Sequence, residues 1–132
     1  MILLGSACLV LLAAGCGDDD DAVEVVTVSP PQATRCIEEQ GLTVQAQASE
    51  IDEQIGARKS LLISLPDPAG EPNAIKISFY DSEEAAIRQA ETESSFIEGA
   101  EGGGSVEQHG AVVVTIARDG NEDELDQVKG CL

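Results

Sequence analysis

The chain is poor in aromatic and basic residues. Its 132 residues contain no tryptophan, one tyrosine and two phenylalanines, at Phe79, Tyr80 and Phe96. A core must therefore be assembled from Val, Ile, Leu and Ala, which is feasible but thin. A sugar-cleaving cleft, which needs aromatic platforms beside its carboxylates, has little to draw on. Lys and Arg together number 7 against 25 Asp and Glu, giving a formal charge of -18. That balance excludes a nucleic-acid-binding module, which needs a basic footprint to neutralise phosphates. It also excludes adsorption to anionic head groups by charge alone. An acidic surface serving solubility accounts for the charge without any special role.

Catalytic signatures are equally scarce. The single histidine, His109, precedes Gly110 and reads as a hairpin-turn residue. No Gly-x-Ser-x-Gly elbow surrounds any serine, so a Ser-His-Asp site has no scaffold. The triple glycine Gly102 to Gly104 lacks the Gly-Lys-Ser/Thr ending of a phosphate loop and reads as a flexible link. Acidic pairs such as Glu38-Glu39 and Glu83-Glu84 carry little information in so acidic a chain, where most form solvated helix faces.

A long hydrophobic run is missing too. Ile2 to Ala14 is apolar apart from Gly5 and Ser6, too short to span a bilayer comfortably and of the length of a signal-peptide core. Residues 1 to 16 carry no Asp, Glu, Lys or Arg, so all the charge follows Cys16. The run ends Leu11-Leu12-Ala13-Ala14-Gly15-Cys16, which resembles the lipobox of bacterial lipoproteins. The resemblance departs from the pattern at Ala13, where Leu is preferred, and in having no basic residue ahead of the run. It implies cleavage before Cys16, diacylglycerol on that cysteine and a lipid-anchored place on the extracytoplasmic face of a cell membrane. Two acyl chains suffice for stable anchoring where one does not.

An exported chain meets an oxidising compartment, and Cys36 and Cys131, near the two ends of what remains, then read as a disulfide rather than two buried thiols. That pairing leaves no thiol for a Cys-His nucleophile or a zinc site. Gly17 and Asp18 to Asp21 cannot bury themselves and read as a solvated tether. They lack the alternating ligands, turn glycine and distal glutamate of a calcium loop. Ala22 to Val28 could extend the tether as an edge strand. The expected organisation is a signal peptide over 1–15, a lipidated cysteine and acidic tether over 16–28, and one small domain over 29–132.

Within that domain, Ser29-Pro30-Pro31 supplies a cap and first-turn prolines for a short helix from about Pro31 to Gln40, stopped by Gly41. Leu42, Val44 and Ala46 alternate with polar residues, as in a half-buried strand. Ser49 to Lys59 reads as a loop carrying a single helical turn. Ser60 to Leu65 and Ala74 to Tyr80 read as strands joined by the turn-forming stretch Pro66 to Pro72. In the second of them Ile75, Ile77 and Phe79 share a face, leaving Lys76, Ser78 and Tyr80 opposite.

Asp81 and Glu84 form a capping-box-like start to a helix of about 15 residues, with Ala86, Ile87, Ala90, Ser94 and Ile97 at helical spacing. Val106 to Gln108 and Ala111 to Ala117 read as a hairpin turning at His109-Gly110. Asp119-Gly120-Asn121 then leads to a terminal helix packed through Leu125 and Val128.

This order predicts an α+β fold, a two-layer sandwich of about five mainly antiparallel strands packed by about three helices. The layout resembles other small bacterial lipoprotein domains, and that resemblance brings no activity with it. The expected function is a non-catalytic binding or interaction module, tethered to a membrane, with an envelope protein or small ligand as partner and with no cofactor, metal or nucleic acid. The sheet face near Lys76, Ser78 and Tyr80 is the expected contact surface. Two other readings stand beside it: a divalent-cation-binding envelope protein using acidic loops, and an enzyme with an unrecognised carboxylate site.

Overall fold

The computed structural model describes residues 28–66 and 72–132. The leader, Cys16, the acidic tether up to Thr27 and most of the Pro66 to Pro72 turn lie outside them. The fold is α+β: an antiparallel five-stranded sheet with four helices. In chain order the elements are α1 (Pro30–Glu39), β1 (Thr43–Ala46), α2 (Ser49–Ile55), β2 (Lys59–Leu65), β3 (Asn73–Phe79), α3 (Glu83–Glu98), β4 (Gly103–His109), β5 (Val112–Arg118) and α4 (Glu122–Lys129). The strands lie in the order β1-β2-β3-β5-β4, all neighbours antiparallel.

The period-two alternation of the strands sorts their side chains into two faces. Leu61, Ile63 and Leu65 of β2, Ile75, Ile77 and Phe79 of β3, and Val112, Val114 and Ile116 of β5 point to one of them. Ala33 and Ile37 of α1 and Val128 of α4 close over this face to make the main core. α1 starts as its sequence directs, with prolines in the first turn and the Ser29 backbone N–H donating to Gln32 Oε1 at 3.1 Å. The Cys36–Cys131 disulfide joins α1 to the residue two past the end of α4, with the Cα atoms 5.6 Å apart.

The opposite face carries Ser60, Ser78, Lys76, Val113 and Thr115, and α3 lies across it. The contact surface expected there is therefore not open. Ser78 is fully buried and Tyr80 is 4% exposed. Ala86 and Ala90 are small enough to bring α3 close to the sheet, where Ala86 buries against Tyr80 and Val113. The sheet thus has helices on both faces.

Three local expectations change. Ser49–Ile55 forms a helix of 7 residues rather than a loop with one turn, stopped by Gly56. α3 is capped by Ser82, whose hydroxyl accepts from the Ala85 N–H at 3.2 Å, rather than by an Asp81–Glu84 box. Ile87, placed by spacing on the inward stripe, is 41% exposed.

The glycine run is also more than a link, since Gly103 and Gly104 open β4. A Cβ on Gly104 would overlap the backbone of β5, against Ile116 O and at 2.6 Å from Ala117 O. Backbone cannot swing aside as a side-chain tip can, so Gly104→Ala should cost about 1–3 kcal/mol of unfolding free energy. A chemical-denaturation midpoint equal to that of the native chain would disprove this close packing. The hairpin that follows turns on Gly110 (φ +56°) and Ala111, one residue later than expected, so His109 ends β4 opposite Val112.

Candidate functional site

Covering a polar sheet face with a helix forces its polar groups to satisfy one another. Lys76 on β3 reaches up to Glu93 on α3, donating from Nζ to Oε1 at 2.6 Å. Gln89, one helical turn earlier, donates to the same oxygen at 3.1 Å. Thr115 of β5 donates its hydroxyl to Glu93 Oε2. The Glu93 residue is 8% exposed. Burial alone pushes its carboxyl pKa up, but hydrogen bonds from Lys76, Thr115 and Gln89, with the charge of Lys76, outweigh that and hold it below the ordinary value.

Beside this knot, Ser60 and Ser78 share a hydrogen bond of 3.0 Å across β2 and β3. Tyr80 follows on the same face. Its hydroxyl is buried and has no hydrogen-bond partner among the described residues. Burial first, then the charge of Glu93, push its pKa from 10.0 up to about 12; the Ser78 hydroxyl opposes them and the charge of Asp52 adds a lesser push. Asp52, on α2, is itself 4% exposed, and its carboxylate accepts from Gln47 Nε2 at 3.4 Å.

Because Tyr80 is the only tyrosine and tryptophan is absent, ultraviolet titration reads this one group. A raised pKa means the folded state holds the proton more tightly than the unfolded state. The contribution to stability is complete below pH 10.0 and is lost as pH rises through about 12. The folded chain should show little tyrosinate where the urea-unfolded chain is already half titrated. Coincident titration curves would refute the burial of this hydroxyl.

A cleft of about 300 Å³ opens over this region between α2 and α3, lined by Ile55, Tyr80, Ala85, Arg88, Gln89 and Thr92 among others. A second, of about 290 Å³, lies where the described chain begins, between Val28, Pro30, Arg58, Lys59 and Phe79. Its cations are partly engaged, since Arg58 pairs with Asp81 at 3.2 Å on the open surface.

The residues singled out in the sequence scatter across this structure. Cys16 lies outside the described residues. Cys36 and Cys131 meet in a disulfide on the main-core side. His109 Nε2 lies 3.2 Å from Glu107 Oε2 on the outer strand β4. Lys129 Nζ lies 3.3 Å from both Glu107 and Asp126, which hold its ammonium above the ordinary pKa. Lys76, Ser78 and Tyr80 do come together, but beneath α3.

Sequence reading missed Glu93 and Gln89. Glu93 follows Ala86 and Ala90 at helical spacing on the inward stripe, so a lone carboxylate opposite a mid-strand lysine was the available signal. Among the described residues, no group of three or more His, Cys, Asp or Glu side chains could hold a metal ion. Comparison with protein-family models, curated proteins and solved structures finds no match for this chain.

Proposed function

We propose that this chain is a lipid-anchored extracytoplasmic lipoprotein, cleaved before Cys16, whose domain is a non-catalytic binding or interaction module. The observation that carries the reading is the Cys36–Cys131 disulfide, a bond that persists in oxidising compartments outside the cytoplasm. The lipobox-like stretch ending at Cys16 independently points to export. The binding-module part draws on how the polar groups are used: Glu93, Lys76, Thr115 and Gln89 satisfy one another under α3 rather than converge on an open centre.

Intact mass and membrane fractionation of the chain made in a bacterial host, native against Cys16→Ser, test the anchor. The native chain should begin at Cys16, carry a diacylglyceryl mass and sediment with membranes. The variant should keep its leader or lose membrane attachment. An unmodified native chain that stays soluble with residues 1–15 intact would defeat the proposal.

A further inference from the structure

Strand order leaves β4 at one margin of the sheet, bonded to β5 on one side only. Among the described residues it makes no backbone hydrogen bond outside that ladder. The N–H and C=O groups of every second residue therefore point outward with no strand to meet. A short edge limits this exposure, as at β1 with its 4 residues, but β4 has 7.

α3 runs beside this margin. Ala86 and Glu93 turn its inner face to the sheet, and the flank next to that face turns to β4. Ile87, Ala90, Glu91 and Glu98 of that flank, with Val106 and Gln108 of β4, line a groove of about 420 Å³. Val106 pairs with Thr115 and Gln108 with Val113, so both stand on the α3 side of the sheet. An extended segment laid along β4 would bond to its outward backbone and send alternate side chains into the groove, the mode of β-strand addition.

Length and charge define the occupant. From Ile87 to Glu98 the helix rises about 16 Å, which about five extended residues span. Ile87 leaves a large aliphatic side chain exposed in the wall. Glu91 and Glu98 are exposed in the same wall, and among the described residues no Lys or Arg lines it. A second copy of this chain would bring a formal charge of -18 against those carboxylates. The chain's own valine-rich stretch before Val28 contains Glu24 and follows Asp18 to Asp21, so it has the wrong sign too.

We infer that the groove between α3 and β4 takes an extended, basic segment of a partner protein as a sixth strand of the sheet, with an aliphatic side chain beside Ile87 and Ala90 and Lys or Arg beside Glu91 and Glu98. This gives the partner of the interaction module proposed above its chemistry and rests on that reading.

The test is calorimetric titration of the purified full chain with the blocked peptide Thr-Val-Thr-Lys-Thr-Lys-Thr and its reverse, since strand addition runs in either direction. At least one should bind saturably at one site and slow amide hydrogen exchange in β4. Its Lys→Glu version should bind at least about tenfold more weakly, and Glu91→Lys with Glu98→Lys should invert that preference. Both glutamates are exposed, so the swap should leave the unfolding midpoint nearly unchanged. N-methylation of alternate peptide amides, one set and then the other, should abolish binding for one set only, because only one set points at β4.

Equal affinity for the Lys and Glu peptides, methylated sets that behave alike, or protection elsewhere than β4 would overturn the inference. A chain that sediments as a dimer joined through β4 would make a second copy the occupant, and no saturable heat with any peptide would remove the site. Membrane fractionation of Cys16→Ser is read separately: a lipidated chain that binds no peptide defeats this inference alone, and an unlipidated chain that binds one defeats only the anchor.

Discussion

Reducing the Cys36–Cys131 disulfide, or replacing both cysteines with Ala, should lower the unfolding free energy by about 4 to 5 kcal/mol in the chain-entropy view of cross-links. The bond joins residues 95 apart, close to the whole length of the domain, so it removes much of the freedom of the unfolded chain. In the folded state it ties α1 to the end of α4 on one sheet face, where Cys131 packs with Ala33, Ile37 and Val128.

Aliphatic side chains supply most of that core, and domains of this size are stable by roughly 5–15 kcal/mol in total. About a quarter or more of the stability thus rests on one bond. The expected drop in melting temperature is on the order of 20 °C or more. Urea unfolding followed by circular dichroism, with and without reductant, measures it. A midpoint that reductant leaves unchanged would show that the bond contributes nothing. A large drop would mean that the domain reaches full stability only where thiols are oxidised, which links its fold to export.

Much of the main-core side was legible. The alternation of Ile75, Ile77 and Phe79 against Lys76 and Ser78 assigned faces correctly, because a strand has only two and an apolar set marks the inner one. Prolines after Ser29 and Gly41 after the helix bounded α1 within a residue. The second covered face was not legible, for a physical reason. Ser60, Ser78, Lys76 and Thr115 are residues a solvent-facing strand would also use, and nothing local records that they hydrogen-bond to each other and to Glu93.

Their burial follows from α3 crossing the sheet, a long-range event that periodicity cannot see. The same blindness hid the role of Gly104, whose missing side chain matters only because β5 backbone lies against it. The candidate site inherits these limits: Tyr80 was noticed, but as part of an open surface, and Gln89 and Glu93 were not singled out. The lipobox-like leader is legible as sequence and lies outside the described residues.

Lys76→Ala should destabilise the domain by about 3 kcal/mol, because it strands a buried carboxylate that keeps only neutral donors. Side chains of the pair are 23% and 10% exposed for Lys76 and Glu93, so water can compensate little. The pH dependence gives the sharper reading. In the native chain the Glu93 pKa is held below its ordinary 4.5, so its ionisation stabilises the fold above that pH and the benefit is lost as pH falls through the depressed value. Without Lys76 the strongest of the influences opposing burial is gone, while the Thr115 and Gln89 donors remain, so the pKa should rise. The Lys76→Ala chain should then gain less stability than the native chain as pH rises from acid to neutral at this position.

Glu93→Gln removes the titration, so subtracting its stability curve from each of the other two isolates this one carboxyl from the remaining acidic residues. Replacing both partners with apolar residues, as in Lys76→Met with Glu93→Leu, should cost less than the sum of the single changes, since no charge is then left alone. Additive costs, or a native chain and Lys76→Ala variant with parallel acid limbs, would show that the two side chains act independently and that α3 is held to the sheet by its alanines alone.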